Sequence, residues 1–281
     1  IDFAPFDIPE QGAGDAQQLS ILLVEDNPVN QELALRLLER DSHRVMVANN
    51  GAEALDRFEE SRFDVILMDM QMPVMGGLEA TEAIRAREMR RSWVVSQEFK
   101  PVYIIAMTAN VMASDRDRCL EAGMNDYLPK PLRQDALRAA LGRAAGSEET
   151  ALPMYSGSGV VDVAADLDLK AALHDIGDLD LCLTMAGMLL AEWDEHVGRV
   201  RQALDAADPQ ELRMHAHTLK SLLAMFHAHR ARRWALELES AAMSPGAIDW
   251  PRCQQLFGAM MTELTTIRPR LKAFVETRVI P

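Results

Sequence analysis

The 281-residue sequence contains only three cysteines, and these lie far apart, at Cys119, Cys182 and Cys253. No two of them form a CxxC pair. Disulfide frameworks and structural zinc sites depend on paired or clustered cysteines. The cysteine pattern therefore argues against both and is typical of a protein of the reducing cytoplasm.

Long apolar segments and nucleotide-binding loops are missing as well. No apolar run approaches the roughly 18 residues that a membrane helix requires. The opening residues, IDFAPFDIPEQ, lack an initiator Met, a basic region and an apolar region, so we expect a part of a longer protein rather than a signal peptide. Neither GxxxxGK[ST] nor GxGxxG after a strand occurs, so we expect no ATP or dinucleotide site in this chain.

Positive charge is scarce, since 29 Lys and Arg stand against 43 Asp and Glu, giving a net charge of −14. A chain this acidic repels the phosphates of nucleic acids, so we expect no direct nucleic-acid binding. Hydrophobic residues make up 48% and charged residues 26%, as in soluble globular proteins, and the length suggests two domains.

Short apolar runs alternate with helical patterns from residue 20 to residue 145. The five predicted strands are ILLV (21–24), HRVMVA (43–48), FDVILMD (63–69), YIIAMT (103–108) and DYLPKP (126–131). Asn27 and Pro28 suit the N-cap and first turn of the helix that follows the first strand. Strand–helix alternation predicts a parallel sheet covered by helices.

The second half of the sequence has no strand pattern. Residues 142–162, rich in Gly and Ser with little apolar pattern, are predicted to be a flexible linker. Beyond them, helical patterns cover 179–206, 210–226, 229–243 and 251–275. Four long helices with short connections predict an antiparallel bundle over residues 163–281.

Three carboxylates follow predicted strands: Glu25 and Asp26 after the first, and Asp69 after the third. The carboxyl ends of parallel strands share one edge of the sheet, so these side chains are expected to converge. Clustered carboxylates raise one another's pKa unless a cation intervenes, and oxygen ligands suit Mg²⁺. Thr108 and Lys130 end the fourth and fifth strands, adding a hydroxyl and a positive charge suited to phosphoryl transfer onto Asp69.

The stretches LLVEDNPVNQ, LMDMQMPVMGGLEAT, AMTAN and DYLPKP resemble the signature of response-regulator receiver domains, over residues 20–141. The resemblance implies an α/β, doubly wound, five-stranded parallel sheet of the flavodoxin-like kind, preceded by a linker at 1–19. It also implies a role for each site residue: Asp69 as phosphoacceptor, Glu25, Asp26, Asp69 and the Gln71 carbonyl as Mg²⁺ ligands, Thr108 and Tyr127 as switch residues, and Lys130 with a cis bond to Pro131. One departure is a long connection at 88–101, interpreted as a surface loop.

Four of the seven histidines lie in HAHTLKSLLAMFHAH, residues 215–229. His215 and His217 diverge by about 200° on a helix, which argues against a shared zinc ion. An apolar stripe of this helix is predicted to face the bundle core: Leu212, Ala216, Leu219, Leu223 and Phe226. His215 would lie on its flank, whereas His217 would point outward and be exposed, with Lys220 and Ser221 on its side.

HTLKS within a helical bundle resembles the HxLKG core of histidine phosphotransfer (HPt) domains. The resemblance implies that His217 is the phosphoacceptor and that Lys220 supports the phosphoryl group. Two positions depart from the motif: Ser221 replaces the common Gly, and His227 stands where a Gly often begins the turn. Histidine can adopt the left-handed backbone that such a turn needs, though less easily than Gly.

A receiver, a linker and an HPt domain together resemble the C-terminal region of a hybrid sensor histidine kinase. This implies a cytoplasmic phosphorelay in which a kinase core phosphorylates Asp69, His217 takes the group, and a separate response regulator receives it. The linker, about 20 residues spanning roughly 25 Å, permits transfer within one chain or between chains. One alternative is an active receiver with a degenerate helical scaffold. Another is an aspartate-based phosphatase, which Gln71 argues against because an acid usually occupies that position.

Overall fold

The computed structural model describes residues 18–92, 100–108, 113–146, 167–243 and 247–280. The first domain alternates strands and helices in the order β1 (Ser20–Val24), α1 (Pro28–Arg40), β2 (Arg44–Ala48), α2 (Gly51–Glu60), β3 (Val65–Asp69), α3 (Gly77–Ser92), β4 (Tyr103–Thr108), α4 (Ala113–Glu121), β5 (Asp126–Pro129) and α5 (Gln134–Ala144). The second is entirely helical where it is described: α6 (Leu169–Ile176), α7 (Leu179–Asp205), α8 (Pro209–Met225), α9 (His229–Ala242) and α10 (Trp250–Thr277).

The five strands form one parallel sheet in the order β2-β1-β3-β4-β5. Neighbouring residues of β1 serve opposite faces because side chains alternate along a strand. Leu23 packs in the layer that holds Leu37 of α1 and Leu137 of α5, while Leu22 packs in the layer that holds Leu55 of α2. The predicted doubly wound α/β fold is confirmed.

The first helix begins where the sequence predicts. The side chain of Asn27 accepts hydrogen bonds from the backbone N–H groups of Val29 and Asn30, and Pro28 occupies the first turn. Proline loses nothing there because its missing N–H would have no partner in the helix. This cap fixes the chain immediately after Glu25 and Asp26, at the edge of the sheet.

The helical half forms a bundle in which α7 packs on α8 and α10, and α9 packs on α8 and α10. All four predicted helices are present with ends within two residues of the prediction. The short α6 was missed, since its eight residues lie between an N-cap at Asp168 and a left-handed Gly177 and carry too short a pattern.

Two predicted boundaries differ from the structure. Helix α3 continues to Ser92, so part of the long 88–101 connection is helical rather than loop, because Glu88 turns inward to accept from Arg85 and from the Val102 N–H. Helix α5 continues to Ala144, into the predicted linker. Residues 1–17, 93–99 and 147–166 lie outside the described part of the chain.

The two halves pack against each other in the structure. Helix α1 lies on α7, and the apolar layer beneath α1 and α5 continues into the bundle core. Arg133, just before α5, lies 3.6 Å from Asp175 of α6, and that carboxylate also pairs with His227 at 3.0 Å. In the described residues, every helix is too short or too polar to span a lipid bilayer.

Candidate functional site

Three acidic side chains meet at the carboxyl edge of the sheet, as predicted. Oxygen atoms of Glu25, Asp26 and Asp69 all lie within 4.8 Å of one another. Lys130 reaches them from the end of β5, with its Nζ atom 2.5 Å from Glu25 and 2.7 Å from Asp69. Glu25, Asp69 and Lys130 are buried, while Asp26 is partly exposed. The positive charge of Lys130 therefore faces a cluster of three carboxylates.

Burial and the excess of negative charge shift the pKa values of the residues in this acidic cluster. Burial, opposed by Lys130 and reinforced by Glu25, raises the pKa of Asp69 to about 7. Burial and the Glu25 carboxylate raise the pKa of Asp26 to about 6. Burial alone would lower the pKa of Lys130, but the carboxylates of Asp69 and Glu25 outweigh it and raise that pKa. Lys130 is thus permanently charged, and the carboxylates remain under-compensated.

The loops around Asp69 are fixed by their backbones. A Cβ atom on Gly77 would lie 2.2 Å from the carbonyl oxygen of Asp69, so α3 can start against this strand only with glycine. The backbone N–H of Gln71 donates to Asp69 Oδ1 at 3.3 Å. The Lys130 N–H donates to the carbonyl of Thr108 at 2.7 Å, and the bond from Lys130 to Pro131 is cis, as the resemblance implied.

The donor set at this edge fits a divalent cation. Hard cations such as Mg²⁺ prefer carboxylate oxygens, and three of them converge here with raised pKa values on two. A cation would offset the charge that Lys130 leaves unbalanced. The acidic cluster is therefore consistent with the predicted Mg²⁺ site.

His217 lies on α8, away from the apolar stripe of this helix. The stripe residues Leu212, Ala216, Leu219, Leu223 and Phe226 are all buried in the core, as predicted. His217 was predicted to be exposed, and this is wrong: it is 7% exposed, because Glu239 of α9 and the receiver half cover it. His215 is half-buried on the flank and pairs with Glu211.

Glu239 holds both His217 and Lys220. Its Oε1 atom is 2.8 Å from Nδ1 of His217, and its Oε2 atom is 2.5 Å from Nζ of Lys220. The Lys220 Nζ atom is also 3.3 Å from Nδ1. His227 ends the helix segment with a φ of 51°, so it adopts the predicted left-handed backbone and lets α9 return alongside α8.

These contacts set the charge states of the site. Burial lowers the pKa of His217, an effect that Glu239 opposes and that Lys220 and Lys130 reinforce. Burial would raise the pKa of Glu239, but His217 and Lys220 lower it to about 2. Glu239 is therefore ionised and His217 neutral near pH 7. An ionised Glu239 favours the tautomer with the proton on Nδ1, which leaves the lone pair on Nε2.

Asp69 and His217 line the same cavity between the two halves, with a volume of about 310 Å³. Thr108, Arg213, Lys220 and Glu239 line it too. The Nε2 atom of His217 is buried and has no hydrogen-bond partner among the described residues. Tyr127 is not part of the lining and lies half-buried in the layer beside β4.

The sequence did not predict the roles of Glu239 and of the Gln71 side chain at this site. Glu239 lies on α9, 22 residues along the chain from His217, and no spacing rule joins the two. Gln71 was assigned only a backbone role, whereas its side chain reaches the other domain and contacts His217 and Glu239. A buried-face position on α9 was the only available signal for Glu239.

Comparisons with known proteins agree with this architecture. The family model described as "Response regulator receiver domain" matches residues 21–142, and the "Hpt domain" model matches residues 184–267. Sensor histidine kinase AruS of Pseudomonas aeruginosa is 34% identical over 237 residues, 84% of this chain and 22% of that protein. Sensor protein GacS of Pseudomonas syringae is 35% identical over 208 residues, 71% of this chain and 22% of that protein.

Among solved structures, the receiver domain of sensor histidine kinase PA1611 from Pseudomonas aeruginosa, with a magnesium ion in its active-site cleft, is 44% identical. The match covers 47% of this chain and 100% of that one, with a TM-score of 0.40. The chain spans about a fifth of the length of the curated relatives it matches.

The chain contains a response regulator receiver domain followed by an Hpt domain, a combination that supports a role in phosphorelay signalling. Its matched relatives are sensor histidine kinases that cover both domains. The predicted resemblance to the receiver and HPt region of a hybrid sensor histidine kinase is thus confirmed.

Proposed function

We propose that this chain carries the two middle steps of a phosphorelay. Asp69 takes a phosphoryl group from a phosphohistidine of a kinase core, His217 takes it from Asp69, and an aspartate of a separate response regulator receives it from His217. The observation that carries the proposal is the cavity that Asp69 and His217 both line, together with the unpartnered Nε2 atom of His217.

In the first step, a carboxylate oxygen of Asp69 attacks the phosphorus atom, and the P–N bond of the donor phosphohistidine breaks. We assign Glu25, Asp26, Asp69 and the Gln71 carbonyl to Mg²⁺, which would supply positive charge to the phosphoryl oxygens. Lys130 supplies a second, permanent charge, and Thr108 offers a hydroxyl at the cavity wall. Thr108 and Tyr127 are proposed to shift toward the phosphorylated state.

In the second step, the Nε2 lone pair of His217 attacks the phosphorus atom of phospho-Asp69. A P–N bond forms, the acyl P–O bond breaks, and the carboxylate leaves with the electron pair. The imidazole proton stays on Nδ1, where the ionised Glu239 stabilises the positive charge that the ring gains. Lys220 lies beside the same carboxylate and would offset charge on the arriving phosphoryl group.

The test is a phosphotransfer assay on the whole chain. A small phosphodonor with Mg²⁺, or a phosphorylated kinase core, would be supplied, and acid-stable label would be separated from acid-labile label. Wild type should form acid-labile phosphohistidine, Asp69→Ala should form no label, and His217→Gln should stop at phosphoaspartate. Asp56→Ala and His174→Gln, both exposed residues, serve as matched controls.

Each contrary outcome has a definite meaning. Phosphoaspartate that His217→Gln leaves unchanged, without phosphohistidine in wild type, would make the bundle an interaction scaffold. Rapid repeated turnover without a stable label would indicate a phosphatase instead.

A further inference from the structure

The side chain of Gln71 crosses from the receiver into the Hpt domain. With its amide nitrogen turned toward α9, the side chain donates to Glu239 Oε1 at 3.1 Å and lies against Nδ1 of His217. Its oxygen accepts from Arg213 Nη2, likewise at 3.1 Å. One neutral side chain thus joins an anion and a cation of the opposite domain.

A neutral amide satisfies both partners at once, whereas a charged side chain satisfies only one. An amide offers an N–H donor and a carbonyl acceptor at its two ends, as Glu239 and Arg213 require. A carboxylate at position 71 would repel Glu239, and an ammonium or guanidinium group would repel Arg213. The pair of contacts therefore discriminates between receivers by the residue at this position.

The location of Gln71 makes this contact matter for the reaction. It lies two residues after Asp69, and its backbone N–H donates to that carboxylate. Its side chain abuts Glu239, the residue that holds the His217 ring. Gln71 therefore contacts both Asp69, which loses the phosphoryl group, and Glu239, which holds the ring of the accepting histidine.

Arg213 adds charge to the same place. It lies four residues before His217 on α8, which puts both side chains on one face of the helix. Its side chain lines the cavity that Asp69 and His217 share. A guanidinium held there by Gln71 places a positive charge beside the cavity through which the phosphoryl group would pass.

We propose that Gln71 and Arg213 form a specificity and positioning pair by which the Hpt domain recognises its own receiver and sets His217 Nε2 against phospho-Asp69. This inference rests on the proposed function, because it concerns the transfer from Asp69 to His217. Neither side chain forms or breaks a bond in the step.

The experiment is a double-mutant cycle on the full chain. The chain is phosphorylated at Asp69 by a small phosphodonor with Mg²⁺, freed of donor, and followed by rapid quench as phosphoaspartate decays and phosphohistidine appears. The first-order rate is normalised to the phosphoaspartate present at the start. The variants are Gln71→Ala, Arg213→Ala, the double variant and Gln71→Glu, with Arg57→Ala on the exposed surface of α2 as the control.

We expect each alanine variant to transfer about tenfold more slowly, the effect of losing one charge-assisted hydrogen bond. The double variant should be no slower than the worse single variant, since the two residues act as one unit. Gln71→Glu should be slower than Gln71→Ala. Melting temperatures within a degree or two of wild type would exclude a merely structural effect.

Wild-type rates in both single variants, or losses that multiply in the double variant, would overturn the inference. A wild-type chain that forms phosphoaspartate but never phosphohistidine would instead overturn the proposed function itself. The two failures are therefore distinguishable in one set of measurements.

Discussion

The two candidate phosphoacceptor sites share a lysine clamped to a carboxylate but differ in their charge balance. Lys130 pairs with the carboxylates of Glu25 and Asp69 beside a third acid, whereas Lys220 pairs with one carboxylate, that of Glu239. The first site keeps excess negative charge, and burial, reinforced by Glu25, raises the pKa of Asp69. In the second site the charges cancel, and the pKa of its carboxylate falls.

This difference in charge balance indicates which of the two sites requires a divalent cation from solution. A cluster with uncompensated carboxylates has use for a divalent cation, while a neutral imidazole beside a complete ion pair has none. The receiver site is therefore expected to work only with a metal ion, and the Hpt site is expected to hold a phosphoryl group without one.

The largest expected effect is that of a metal chelator, which should act on phosphorylation of Asp69 but not on the phosphorylated His217. Removing divalent cations should slow phosphorylation of Asp69 about a thousandfold, because a bound cation supplies several kcal/mol of charge stabilisation. Chelator added after His217 has been labelled should leave the phosphohistidine in place. Equal loss of both labels on chelation would erase the contrast between the two sites.

The effect of Mg²⁺ on the melting temperature at different pH values tests the charge balance of the receiver site. The raised pKa of Asp69 means that its stabilising contribution is complete below pH 3.8 and is lost as pH rises through about 7. Mg²⁺ should therefore raise the melting temperature more at pH 8 than at pH 5. Asp69→Asn should remove most of that pH difference.

The next effect comes from breaking the ion pair of the Hpt site. Lys220→Met leaves the buried Glu239 carboxylate without its ammonium partner, which should lower the free energy of unfolding by about 3 kcal/mol. Transfer to His217 should slow about a hundredfold because one charge next to the phosphoryl group is lost. Rapid quench measures the transfer rate and urea unfolding measures the free energy of unfolding. The exposed Lys170→Met is the control. A stable, fully active variant would show that Lys220 is not needed.

A smaller effect is expected from Glu239→Gln. Loss of the carboxylate removes the acceptor that holds the proton on Nδ1, so transfer should slow about tenfold. The depressed pKa of Glu239, about 2 against an ordinary 4.5, stabilises the wild type above pH 4.5 by about 3 kcal/mol.

That contribution should disappear as the pH falls from 4.5 toward 2, and the variant should lack it. Urea titrations across this range, with Glu237→Gln on the same helix as the control, would show it. Parallel pH curves for wild type and Glu239→Gln would contradict the assigned ion pair.

The smallest effect concerns the departure from the HxLKG pattern. The Oγ atom of Ser221 is buried without a hydrogen-bond partner among the described residues. Ser221→Ala should therefore raise the free energy of unfolding by about 1 kcal/mol and leave transfer unchanged. Ser240→Ala is the matched control, since that hydroxyl donates to the carbonyl of Leu236. A destabilised Ser221→Ala would mean that the hydroxyl has a partner after all.

The acidic site could be predicted because its residues end strands of one parallel sheet. Strand register alone brings Glu25, Asp69 and Lys130 to one edge, and each strand is visible as an apolar run. The apolar stripe of α8 was equally visible from its spacing.

The rest depended on chain reversals that no local pattern encodes. Glu239 meets His217 only because the turn at His227 folds α9 back along α8. The burial of His217 and the reach of Gln71 depend on how the receiver sits on the bundle, through α1 against α7. Surfaces that pair between domains look like ordinary exposed faces in a sequence.

The covered His217 has a kinetic consequence. The receiver and the bundle are parts of one chain, so Asp69 is present near His217 at an effective concentration of about a millimolar. On the proposed function, any other regulator must compete for the same histidine against this resident partner. The apparent affinity of that regulator for His217 would be weakened because the receiver of this chain covers the histidine for part of the time. The strength of the packing between receiver and bundle would therefore control the rate of transfer to the separate regulator.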